Sequence, residues 1–220
     1  MLRSFLTPLL LLLMTSLGYG QDDFANLARY RAHNELRAGM TNEVVFLGNS
    51  ITDSWYARDT AFFEDHNFVG RGISGQTSEQ LLLRFRPDVL NLKPRTVVIH
   101  IGTNDVAENT RPYSEDYTVG NIASMIDIAD QNDIRVIIAS VLPATGFSWR
   151  PALGNRSAEI VALNERLKRL AEEKNVDYLD YHSALKNDQN GMDKELAPDG
   201  VHPTMKGYGM MKEMVLKILR

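Results

Sequence analysis

The sequence predicts an α/β fold, a three-layer α/β/α sandwich built on a five-stranded parallel sheet. Two observations carry this expectation. Short apolar, β-rich runs alternate along the chain with longer segments of helical periodicity, the pattern of a parallel sheet covered on both faces. Four of the runs lead into polar, glycine-containing loops, and such loops collect in the crevice beyond the carboxyl ends of parallel strands. Composition agrees: 220 residues with 44% hydrophobic and 24% charged side chains suffice for one hydrophobic core and exclude collagen, coiled coil and wholesale disorder.

The elements follow in order. Arg3 supplies a short basic start, and an apolar stretch from Phe5 to Leu17 is too short to span a bilayer. With Gly18 and Gly20 offering small residues before a polar start at Gln21, residues 1–20 read as an export signal cleaved after Gly20. Residues 21–220 are then expected to form a single domain, periplasmic or secreted and without a membrane anchor. A helix is expected over about 24–38, ended by Gly39. The strands are expected at 44–47, briefly at Phe68 and Val69, at 96–101, at 136–141 and at 176–179.

Between them, Thr77 and Gln80 have capping-box spacing ahead of Leu81, Leu82 and Phe85. Three further apolar stripes have helical spacing: Val119, Ile122, Ala123, Ile126 and Ala129; Ile160, Leu163, Leu167 and Leu170; Tyr208, Met211, Val215 and Ile218. The longest irregular stretches are residues 142–155 and 187–203, a length at which loops in compact domains tend to be functional.

Several functions lack support. A net charge of −4 offers no electrostatic attraction for nucleic acid or anionic membranes. Without cysteine, neither a disulfide framework nor a lipidated cysteine is available. No His-Glu-x-x-His occurs, and residues 188–193 fail the calcium-loop pattern, so no metal site is expected. Gly70, Gly72 and Gly75 have the G-x-G-x-x-G spacing, but they follow the second and shortest strand, with no acidic residue at the end of the next one, so no dinucleotide is expected.

The loops themselves suggest a different chemistry. Ser50, between a strand and a helix start, sits where backbone N–H groups point outward and suit an oxygen that is becoming negative; alone, it would read as a helix cap. His202 follows Asp199 by three residues in a turn braced by Pro198 and Pro203. That spacing lets the carboxylate orient one ring nitrogen while the other takes a proton from a hydroxyl. Asn104, just past the third strand, and Gly75, without a side chain, are candidate donors to an oxyanion. His100 reads as a satisfied core residue, and His33, His66 and His182 as solvated. Trp55, Trp149 and Tyr113, in or near the crevice loops, are suited to stacking on a sugar ring.

Four blocks in order, Gly48-Asn49-Ser50-Ile51-Thr52, Ile73-Ser74-Gly75-Gln76-Thr77, Gly102-Thr103-Asn104-Asp105 and Asp199-Gly200-Val201-His202-Pro203, resemble those of the SGNH (GDSL-like) hydrolases. The likeness runs from Glu43 to Leu219 and is nearest to the branch similar to platelet-activating-factor acetylhydrolase subunits. It implies a flavodoxin-like sheet and hydrolysis of carboxylic esters, commonly acetyl esters, without a metal or organic cofactor. It also implies Ser50 as nucleophile, His202 as base, Asp199 as its partner, and Ser50, Gly75 and Asn104 as oxyanion donors. Position 49 departs from the family's usual Asp, removing a charge beside the nucleophile. The expected substrate is a short-chain ester, an O-acetyl group on carbohydrate above all. A lysophospholipase or thioesterase, and a carbohydrate-binding domain without catalysis, are the alternatives.

Overall fold

The computed structural model describes residues 23–220; the export-signal expectation for 1–20 lies outside the described residues. The apolar runs fold as β1 (Val44–Gly48), β2 (Phe68–Gly72), β3 (Thr96–His100), β4 (Arg135–Ala139) and β5 (Asp177–Leu179). All pair in parallel in the order β2-β1-β3-β4-β5, so the chain reverses its winding between β1 and β3. In such sheets that reversal opens the crevice where ligands sit.

The described helices are α1 (Arg31–Arg37), α2 (Ser50–Arg58), α3 (Thr60–Asp65), α4 (Ser78–Asp88), α5 (Thr103–Val106), α6 (Glu115–Asp130), α7 (Ser157–Lys174), α8 (Tyr181–Leu185) and α9 (Met205–Ile218). Successive strand residues face opposite sides, and each side has its own core. Val45, Leu47, Val97 and Ile99 pack against the stripes of α4, α6 and α7. On the other side, Val44, Phe46, Val98 and Ile137 meet α2, α3, α8 and α9. An aromatic cluster fills the second core beneath α2, with Trp55 stacked on Phe62 and on Tyr208, and Phe46 edge-on to Trp55. Gln80 closes the expected capping box at the head of α4 by accepting the Thr77 N–H at 3.0 Å. No helix among the described residues is long and apolar enough to cross a membrane.

Two expectations need correction. The second strand does not stop at Val69 but continues through Gly70, Arg71 and Gly72. A Cβ on Gly72 would lie 2.1 Å from the Asp53 nitrogen, and one on Gly70 would lie 2.8 Å from the Tyr56 ring, so both glycines are there to let α2 lie against the strand. Arg71 is buried between them, with Asn34 accepting from its Nε at 2.9 Å and the Tyr30 ring 4.6 Å away. The N-terminal helix is shorter than the expected 24–38. Asp23 accepts the Leu27 and Ala28 N–H groups and Asn26 is left-handed, so residues 24–30 form turns and the regular helix is α1 alone. Gly39, at φ +83°, follows it as expected.

Candidate active site

At the carboxyl end of β1, the chain turns sharply into α2. Asn49 caps the helix, its Oδ1 accepting the Ile51 N–H at 3.0 Å. Ser50 is therefore not the cap but the first helical residue, and its hydroxyl is free for another partner. An Asn side chain can accept this bond as an Asp would, so the capping geometry does not need the missing charge. That free hydroxyl lies 2.8 Å from His202 Nε2, across 152 residues of sequence.

His202 is held by its own turn. Its Nδ1 lies 2.6 Å from Asp199 Oδ2, while Asp199 Oδ1 accepts the backbone N–H groups of Val201 at 2.9 Å and His202 at 2.8 Å. Burial pushes the Asp199 carboxyl up, but these hydrogen bonds outweigh it and hold the group below the usual carboxylate value. An ionised Asp199 thus faces Nδ1, favouring the tautomer with its proton there and leaving Nε2 as an acceptor toward Ser50.

The loops after β2 and β3 complete this edge of the sheet. Gly75 adopts φ +81°, a conformation that favours glycine. Among the described residues, neither the Ser50 nor the Gly75 N–H has a protein acceptor. Asn104 lies at the start of α5 and donates one Nδ2 hydrogen to the Gln76 carbonyl at 2.9 Å, leaving the second available. Beside it, buried Asp105 accepts from the Ser78 N–H at 3.1 Å, the Ser78 hydroxyl at 2.5 Å and Thr118 Oγ1 at 3.2 Å, tying α5 to the head of α4. Burial raises the Asp105 carboxyl despite those bonds.

A residue outside the sequence expectations stands behind these loops. Fully buried Arg84 donates to the Gly48 carbonyl at 2.8 Å, the Arg71 carbonyl at 2.9 Å, Gln76 Oε1 at 2.6 Å and Asp88 Oδ2 at 2.9 Å. One guanidinium thereby links the turn before Ser50 to the loop that carries Gly75. Its helical position among Leu81 and Phe85 on α4 could have marked it, since a cation on an apolar face needs several acceptors.

An open cleft of about 550 Å³ adjoins the Gly75 loop, lined by Phe24, Ser74, Gly75, Asn109, Trp149 and Arg150 among others. Trp149 is 39% exposed, with its ring 6.3 Å from that of His202. The other two aromatic expectations fail. Trp55 is only 2% exposed inside the aromatic cluster, and Tyr113 packs against the core of α6 and α7. His182 is buried rather than solvated, at the start of α8 with its N–H on Ser140 Oγ. His100 is in the core, but its Nε2 has no partner among the described residues, so it is not satisfied as expected.

The profile of the GDSL-like lipase/acylhydrolase family matches residues 46–210. The crystal structure of a GDSL-like lipase from Bacteroides thetaiotaomicron superposes with a TM-score of 0.87 at 44% identity, covering 89% of this chain and 98% of the other. Subunit alpha2 of platelet-activating factor acetylhydrolase IB from Homo sapiens is 26% identical over 186 residues, 80% of this chain and 77% of that one. An uncharacterized lipoprotein of Bacillus subtilis is 31% identical over 118 residues, 46% of this chain; the match spans about half (49%) of its length.

Proposed function

This chain belongs to the GDSL-like lipase/acylhydrolase family, and on that premise we propose that it is a cofactor-free serine esterase acting through Ser50, His202 and Asp199. The Ser50 hydroxyl gives its proton to His202 Nε2 and attacks the ester carbonyl. The resulting oxyanion accepts from the Ser50 N–H, the Gly75 N–H and the free hydrogen of Asn104 Nδ2. Collapse breaks the ester bond, and the imidazolium returns the proton to the departing alcohol. Water, deprotonated by the same imidazole, then releases the acid from Ser50. The observation that carries this reading is the continuous pair of contacts from Ser50 Oγ to His202 at 2.8 Å and from His202 to Asp199 at 2.6 Å.

The substrate we favour is an acetyl ester on carbohydrate, met in an exported compartment. The human relative is an acetylhydrolase, which supports a short acyl group. A polar, open cleft with one exposed indole beside the base suits a sugar ring better than an acyl chain. Export rests on the sequence of residues 1–20.

The test is a panel of acetylated sugars and aryl esters of increasing chain length, run alongside Ser50→Ala. Acetyl esters should be hydrolysed fastest, and Ser50→Ala should lose both turnover and labelling by a fluorophosphonate. A clear preference for decanoyl over acetyl would favour a lysophospholipase or thioesterase instead. Glycan binding without any labelling would favour a binding module.

A further inference from the structure

The loops bearing Gly75, Asn104 and Trp149 meet at one residue that the reaction itself does not use. Asn109 Oδ1 accepts the Trp149 Nε1–H at 2.9 Å, and Asn109 Nδ2 donates to the Gly75 carbonyl at 3.0 Å. Its backbone N–H donates to the Asn104 carbonyl at 3.1 Å. The orientation of the amide is not ambiguous: indole N–H is only a donor and a peptide carbonyl only an acceptor, so each end of the carboxamide has one possible partner. The Gly75 carbonyl belongs to the peptide shared with Gln76, whose N–H donates to the Ile73 carbonyl at 3.3 Å, while the Gly75 N–H lies across the Cα at φ +81° with no protein acceptor among the described residues.

We infer that Asn109 is a positioning residue, coupling the indole platform of Trp149 to the Gly75 N–H that receives the oxyanion. This rests on the esterase reading above. A ring held over Trp149 would steady the indole, the indole would steady the carboxamide, and the carboxamide would hold the Gly75 carbonyl and, through the Gly75 Cα, the direction of the Gly75 N–H. The alcohol part of the ester would then influence turnover as well as binding, which gives specificity to a site with an otherwise open mouth. Preorganised donors act only when aimed at the place where charge develops, and small misplacements cost rate rather than affinity.

The test compares Asn109→Ala, Asn109→Asp and Trp149→Phe with the parent and with Ser50→Ala, on p-nitrophenyl acetate and on an acetylated sugar. Asn109→Asp keeps an acceptor for Trp149 but sets a carboxylate oxygen against the Gly75 carbonyl. It should lower kcat by about 10-fold or more on both esters, with KM for p-nitrophenyl acetate within about twofold. Asn109→Ala should lose a similar factor. Trp149→Phe keeps a ring but removes the N–H, and should lower kcat about threefold with KM for the sugar ester within about twofold. Phosphonylation of Ser50 by a fluorophosphonate, whose oxygen occupies the same donors, should slow in parallel with kcat. If the Asn109 variants keep kcat and labelling rate within twofold while Ser50→Ala is inactive, the coupling is wrong and the esterase reading stands. Activity in Ser50→Ala would overturn both.

Discussion

Asp199 performs two tasks with two oxygens, and they can be separated. Oδ1 holds the turn by accepting from Val201 and His202, while Oδ2 faces the ring nitrogen of His202. An Asn at this position retains an oxygen for the turn but offers an N–H to Nδ1, which reverses the tautomer needed for Nε2 to take the Ser50 proton. Asp199→Asn should therefore fold with an unchanged melting temperature and lose about 10³- to 10⁴-fold in kcat on p-nitrophenyl acetate. Steady-state kinetics showing a loss under tenfold would remove Asp199 from the proposed mechanism. Asn49 illustrates the opposite case. Its bond to the Ile51 N–H needs only an oxygen, so a neutral amide serves where the family's usual residue is charged.

Helix α2 owes its seat to the glycines of β2. The Asp53 nitrogen lies 2.1 Å, and the Thr52 carbonyl carbon 2.6 Å, from where a Gly72 Cβ would be. These are backbone atoms and cannot rotate away, so Gly72→Ala must push the first turn of α2, with Ser50, off the sheet. The expected loss is about 1–3 kcal/mol in urea unfolding, with kcat falling further than the destabilisation alone explains. Stability within 0.5 kcal/mol, roughly the scale of a neutral surface change, would show that the helix has room to spare.

The same glycines show what a sequence conceals. β1, β3 and β4 are legible because each is an apolar run; β2 is legible only at Phe68 and Val69, because its second half reads Gly70-Arg71-Gly72 and resembles a loop until the helix against it and the acceptors around Arg71 are known. The N-terminal helix was overextended because the carboxylate of Asp23 satisfies amides that would otherwise drive helix formation, and Asn26 takes a left-handed turn. Of the candidate site, Asp199 and His202 were readable from a spacing of three in a proline-braced turn, and Ser50 from its place after a strand. Arg84 and Asn109 act through partners up to 36 and 40 residues away, and no local pattern announces such bonds. Trp55 misleads for a related reason: its neighbours in sequence include the polar Asp53, Ser54 and Arg58, but its neighbours in space are Phe46, Phe62 and Tyr208.

The molecule as a whole contains a buried base that sets an acid limit to its stability. His100 lies at the end of β3, edge-on to Tyr181, with no acceptor on Nε2 among the described residues. Burial pulls its imidazole down to about 4, whereas in the unfolded chain it titrates near ~6.5. Protons therefore bind the unfolded chain preferentially between those values. The stabilisation is complete above pH ~6.5, falls as the pH drops through the window and levels off below about 4, for a total of about 3 kcal/mol. His100→Leu abolishes this component. Urea unfolding at about pH 7 and about pH 4.5 should show a smaller difference between the two conditions in the variant than in the parent. An equal difference in both would mean that the imidazole is charged in the folded state.

The chain has two tryptophans, and they inhabit opposite extremes. One is sealed in the aromatic cluster under α2, and the other stands in solvent within 6.3 Å of the His202 ring. Their emission separates accordingly: the sealed indole fluoresces to the blue and is sheltered from iodide, while the solvated one emits to the red and is quenched. A single unlabelled sample thus carries independent optical gauges, one for loss of the folded state and one for arrival of a ligand at the mouth of the cleft.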